Sequence, residues 1–281
     1  VAIVADEAGF ARMRRYPTFT HTDHAGYLRW AEDLLRSLAG SHGHTSVALF
    51  DPSGFADYCA RAGLDQDSPA SRARYTAEVA ARGATVPYEG QPIERLVPDL
   101  LAAHLRQESW ELGTDLLAAA GDCAGCAAPL ARCAFERAAS LLTTAVGRAA
   151  PGTHHLVASL MTGPGPLTAV LDALVAADGA VRVPEHDALV MCTVLAAGLA
   201  TGDPGGLVLR SVPSATPGRE HVRGWSLRDG RLRALTEAEV FAAYCTDART
   251  GEPVPPEPGV TYGTAPTIPV PPCPPGTRDR P

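Results

Sequence analysis

The sequence predicts an α+β (or α/β) fold: a small central sheet with many helices, a C-terminal hairpin plus helix, and a proline-rich tail. Three observations predict it. Segments with helical spacing of apolar residues outnumber strand-like runs. The strand-like runs at 44–52, 154–161 and 205–213 are short and far apart in the chain. Residues 221–245, HVRGWSLRDGRLRALTEAEVFAAYC, place a two-residue hairpin signal directly before a helix-opening box.

Taken in order, residues 23–39 form an amphipathic helix, with Leu28, Ala31, Leu34, Leu35 and Leu38 on one face and Gly40 as terminator. HTSVALFDP is a strand that ends in an Asp-Pro turn. SGFADYCARAG resumes helical spacing and closes on Gly63. The next helix has Ser68 as N-cap, Pro69 at its first position and Gly83 at its end. Residues 92–120 read as one long helix, or two with a joint near Pro98, whose nitrogen cannot donate within a helix. GDCAGCAAP is a turn, and 130–149 a helix. Residues 166–177 and 185–201 read as helices on either side of a short link. Asp229-Gly230 is the hairpin turn, and Thr236 with Glu239 is a capping box for a helix over 237–245. From 251 onward proline and glycine dominate, a composition that builds no core and predicts an extended or disordered tail. The expected organisation is a single helix-rich domain over 13–250 and the tail over 251–281. Residues 1–12 stand outside the domain as disordered or non-native sequence, Met13 being the more conventional opening.

Composition excludes several function classes. The chain has 281 residues, net charge −7, and no run of five basic residues, so neither a nucleic-acid footprint nor a polybasic membrane anchor is indicated. All 24 basic residues are arginine. Without lysine there is no Schiff-base lysine, no Walker A phosphate lysine and no standard kinase strand lysine. The weakly charged stretch 188–202 is shorter than the roughly 20 residues a bilayer demands. A soluble cytoplasmic protein with reduced thiols is the expectation. GxGxxG after a strand, GxSxG, HExxH and the zinc-deaminase pattern are all missing.

The chemistry-bearing candidates are cysteines, histidines and one aspartate. Cys123-x2-Cys126 is half of a zinc knuckle, and zinc takes four tetrahedral ligands in structural sites. Further donors would come from His155, His154 or Cys245. Cys133 could be a third ligand. Its spacing with Leu130, Ala134, Leu141 and Leu142 instead assigns it to the apolar face of the next helix. A redox pair is the other reading of the two knuckle cysteines, since Cys126 stands just before a helix start. Cys59, Cys192 and Cys245 read as packing residues. Asp51 sits at the carboxyl end of a strand, where open α/β sheets gather ligands, or else it caps the helix that follows. With His44 and His154, and His42 beside them, it makes a candidate acid–base or metal cluster.

Residues 44–92, the GDCAGC turn and the segment Gly152-Thr153-His154-His155 resemble uncharacterised proteins of high-GC Gram-positive bacteria. The resemblance implies a bacterial, cytoplasmic protein and transfers no activity. Two functions follow. The first is a non-enzymatic binding or regulatory protein, with at most a structural Cys/His zinc site at Cys123, Cys126 and His155 and a proline-rich tail for a protein partner. The alternative is a metal-dependent hydrolase built on Asp51, His44 and His154.

Overall fold

The computed structural model describes residues 1–42, 44–247 and 249–269, with His42 described by its backbone alone. The fold is α+β, as the sequence predicts. The chain divides into two compact units, Val1–Gln107 and Glu108–Pro281, where the sequence suggests one domain. The reason is two separate sheets, each with its own apolar clusters.

Unit 1 begins with β1 (Ala2–Ile3), α1 (Glu7–Met13), α2 (His24–His42) and β2 (Thr45–Leu49). It continues through α3 (Pro52–Ala62), α4 (Pro69–Arg82) and β3 (Thr85–Tyr88) into α5 (Ile93–Ala118), along which the unit boundary falls. β1 runs parallel to β2, and β3 antiparallel to it. Successive strand residues face opposite ways. Ile3 and Val47 therefore join Leu35, Leu96 and Leu100 in one cluster. Val4 and Phe50 join Phe10, Phe55 and Tyr75 in another. Residues 1–12, expected to stand outside the fold, supply β1 and α1, and Ile3, Val4 and Phe10 are buried. A short polar break at Asp6 hides this in the sequence. Asp6 is the N-cap of α1, its carboxylate accepting the Gly9 N–H. α5 is one helix, with Pro98 inside it.

Unit 2 contains α6 (Leu130–Gly147), β4 (Gly152–Met161), β5 (Pro166–Val175), β6 (Val181–Arg182) and α7 (Glu185–Thr201). There follow β7 (Gly205–Pro213), β8 (Glu220–Arg228), β9 (Arg231–Ala234), α8 (Glu237–Tyr244) and β10 (Val260–Tyr262). The sheet order is β10-β8-β7-β4-β5-β6, with β9 paired to β8. α7 is buried from Val190 to Leu199. A helix apolar all round belongs inside a core, and α7 packs against both α6 and the sheet. Gly198 permits this approach: a methyl there would lie 2.4 Å from Leu227 Cδ2 and 2.8 Å from Leu160 Cδ1.

The segment 166–177, read above as a helix, is strand β5. It pairs with β4 from Gly152↔Val175 to Met161↔Pro166. Leu167, Ala169, Leu171, Ala173 and Val175 are buried and the residues between them exposed. Leucine and alanine suggest a helix by propensity, but the period is two, and cross-strand packing overrides propensity. The proline-rich segment has a turn at 258–259 and the short strand β10, and it enters the core. β10 pairs with β8, Ala265 and Ile268 are buried, and the Pro266 carbonyl accepts the indole N–H of buried Trp225 at 2.9 Å. Its apolar residues are spaced between the prolines, so an extended chain can insert them singly. Residues 270–281, Cys273 included, lie outside the described residues. Among the described residues, no helix is long and apolar enough to cross a membrane.

Candidate metal centre

The turn between α5 and α6 folds back on itself. The Cys123 N–H donates to the Ala128 carbonyl and the Ala127 N–H to the Cys123 carbonyl, each at 2.8 Å. The Leu130 N–H reaches the Gly121 carbonyl, and Asp122 makes an isolated antiparallel bridge with Pro129. Closing so short a loop puts Gly121 and Ala127 at positive φ, +70° and +56°. For alanine that conformation costs about 1–2 kcal/mol.

The result is convergence of three thiols. Cys123, Cys126 and Cys133 have sulfurs that all lie within 4.8 Å of one another. The Cys126 and Cys133 sulfurs are 3.0 Å apart. Cys123 and Cys133 are buried, and Cys126 is half-buried. Zn–S bonds of ~2.3 Å in a tetrahedron would separate sulfurs by about 3.8 Å, so small rotations of these side chains bring the set to a metal's requirement. Cys133 stands in the first turn of α6, at the helix end whose dipole favours negative charge. Arg132 lies close enough to feel Cys133 and Cys126 electrostatically. Its pKa is raised chiefly by its bond to Glu136 at 3.0 Å, and to a lesser extent by these two sulfurs.

The assignment of Cys133 to packing alone is therefore incomplete. It does share the buried face of α6 with Ala134, Ala138 and Leu141, and the turn folds down onto that same face. The signal in the sequence was the spacing C-x2-C-x6-C, with its third cysteine in the first turn of a helix.

The other candidates lie elsewhere. His155 is on the exposed face of the unit 2 sheet, its Nδ1 2.8 Å from the carboxylate of its cross-strand neighbour Asp172. His154 faces the other way and is buried, with Nε2 2.8 Å from the Ala150 carbonyl and Nδ1 2.9 Å from Ser211 Oγ. A carbonyl only accepts, so Nε2 carries the proton and Nδ1 accepts from the hydroxyl. Burial lowers the His154 pKa, which keeps the ring neutral in this role. Asp51 caps α3: its carboxylate accepts the Ser53 N–H at 2.9 Å and the Gly54 N–H at 2.7 Å. His44 lies before β2 and Asp51 after it, about 20 Å apart at a strand's rise per residue. The structure does not bring those two together. Cys59 and Cys192 are buried among apolar residues, and burial raises both thiol pKa values, that of Cys192 to about 11. The His42 side chain lies outside what is described.

A family model described as a domain of unknown function (DUF8829) matches residues 1–91, which contain β1 to β3 and end before α5. The match agrees with the resemblance of residues 44–92 to uncharacterised proteins. No curated protein and no solved structure matches the chain. The thiol cluster lies beyond the matched residues.

Proposed function

We propose that this is a non-enzymatic, cytoplasmic binding or regulatory protein that carries one zinc ion on Cys123, Cys126 and Cys133. The single observation that supports it is the convergence of three sulfurs over a strained, hydrogen-bonded turn. Among the described residues no fourth cysteine, histidine or carboxylate joins the group. A fourth position is then left to water or to a donor from a partner. Thiolate ligands select zinc over magnesium or calcium. Residues 251–259, which include four prolines, are exposed and suit a protein partner. The hydrolase alternative has less support, since Asp51 and His154 spend their polar atoms on local backbone and hydroxyl groups.

Elemental analysis of the full chain, purified without added metal, tests the reading. One zinc per chain is expected. Cobalt added to the stripped protein should give a thiolate-to-metal charge-transfer band and tetrahedral visible bands. Absence of both zinc and cobalt binding overturns it.

A further inference from the structure

Unit 1 holds a cavity of about 260 Å³ that the metal reading does not use. It opens beside Val4 and Phe50, which directly follow β1 and β2. These strands are parallel, so the cavity stands at their shared carboxyl end, where α/β arrangements place ligands. Every residue lining it falls within the segment 1–91 that the family model matches.

Its walls are of two kinds. Phe19, His21, Tyr27 and Trp30 make an aromatic surface. His21 lies 4.8 Å from Trp30 and 5.0 Å from Tyr27, and Tyr27 and Trp30 are near-parallel at 30°. Tyr27 is anchored by the Val4 N–H, which donates to its hydroxyl oxygen at 3.0 Å. Trp30 is half exposed, with His21 and Tyr27 as ring neighbours. The second kind is polar: Thr18, Thr20, Thr76 and Arg72. Arg72 donates from Nη2 to the Thr18 carbonyl at 3.4 Å, a long contact. Its Nη1 is shut off from solvent and has no hydrogen-bond partner. The Arg72 guanidinium forms part of the cavity wall, and a carboxylate is the ligand group its planar donors match. The nearby carboxylate of Asp67 accepts the backbone N–H and hydroxyl of Thr18 through Oδ1, and the Arg72 charge acts on it as well.

We propose that this cavity binds a small aromatic carboxylate, its ring against Trp30 and Tyr27 and its carboxylate on Arg72. The volume lies just below the ~300–1,000 Å³ of drug-sized sites, so it selects one or two rings rather than a dinucleotide. The site is independent of the thiol cluster, and the two proposals fail separately.

The test is calorimetric titration of the full chain with indole-3-carboxylate and, separately, with the neutral indole-3-carboxamide, followed also by tryptophan fluorescence. Saturable one-to-one binding of the acid is expected, at least about tenfold tighter than the amide, the worth of one charge-assisted pair. Arg72→Gln should abolish that preference, while Arg72→Lys keeps part of it, since the charge remains and the planar fork is lost. Trp30→Leu should weaken acid and amide alike. The acid/amide comparison uses the native chain and does not depend on any variant folding. Equal affinity for acid and amide, no saturable binding of the acid, or an Arg72→Gln chain with its preference intact would each overturn the proposal.

Discussion

Two tight turns of unit 2 put a residue other than glycine into left-handed backbone: Asp229 at φ +51° in the β8–β9 hairpin and Ala127 at φ +56° after the cysteine pair. The hairpin explains itself. Aspartate tolerates that conformation, glycine follows it at +66°, and the strands on either side pair from Trp225↔Ala234 to Arg228↔Arg231. Ala127 has no such aptitude and no pairing strands. Strain of this kind persists only where the surroundings impose it, and at Ala127 the hydrogen bonds that close the turn impose it, in the same loop that brings the sulfurs together. One turn is specified by its own residues, and the other closes over the thiol cluster.

The largest effect should come from disrupting the proposed metal site. Cys126→Ser should lower the zinc content from one per chain to near zero. A metal present at a thousand times its dissociation constant adds about 4 kcal/mol to stability. The melting temperature of the native chain should therefore fall on chelation, while that of Cys126→Ser should not respond. Calorimetry with and without chelator measures both. A native chain indifferent to chelator would erase the difference between the two turns.

Next in size is Gly230→Ala, which attacks the self-specified turn. The new methyl would sit 2.9 Å from the Leu199 carbonyl oxygen and face a positive φ as well. A loss of about 1–3 kcal/mol is expected in urea unfolding, with zinc content unchanged. A drop in zinc content would show that the turns are not independent.

The same contrast explains what was legible in the sequence. The hairpin, the capping box at Thr236 and Glu239, α7 and the Asp51 cap could all be read, because each is decided by neighbours within a few residues. β5 was misread because its partner β4 decides it, not its leucines and alanines. The Cys133 sulfur could be placed on a buried face but not beside Cys126, because that depends on how the turn folds onto α6. The unit 1 cavity gave no linear signal at all. Its aromatic residues come from 19–30 and from Phe50, and its arginine from position 72, joined only through tertiary packing.

A smaller effect tests the strain at the metal turn. Ala127→Gly relieves a left-handed alanine worth about 1 kcal/mol, which should tighten zinc binding by about fivefold. Competition with a chromogenic chelator reads this directly. Weaker binding in Ala127→Gly would mean that the alanine methyl packs usefully and that the turn is not strained toward its metal.

The smallest predicted effect returns to the self-specified region and depends on pH. Glu239 has its pKa pushed down to about 2 from an ordinary 4.5, first by the Arg233 guanidinium at 2.9 Å and then by the Thr236 N–H and hydroxyl. A carboxyl group depressed on folding contributes stability that is present above 4.5 and lost as pH falls toward 2. Glu239→Gln should remove that part of the acid response, and the group is exposed enough that the change will be modest. The thiol centre responds to acid in the same direction, because protons compete with metal for thiolates. The comparison must therefore be made in the Cys126→Ser background, where the other depressed carboxyl groups, Asp23, Asp67, Asp247 and Glu257, are common to both chains and cancel. There, circular dichroism melts between pH 2 and pH 5 should show the Glu239→Gln chain losing less stability on acidification than its parent. Identical pH dependence would mean that the Arg233–Glu239 pair contributes nothing to this segment, and that the capping hydrogen bonds of Thr236 suffice to start α8.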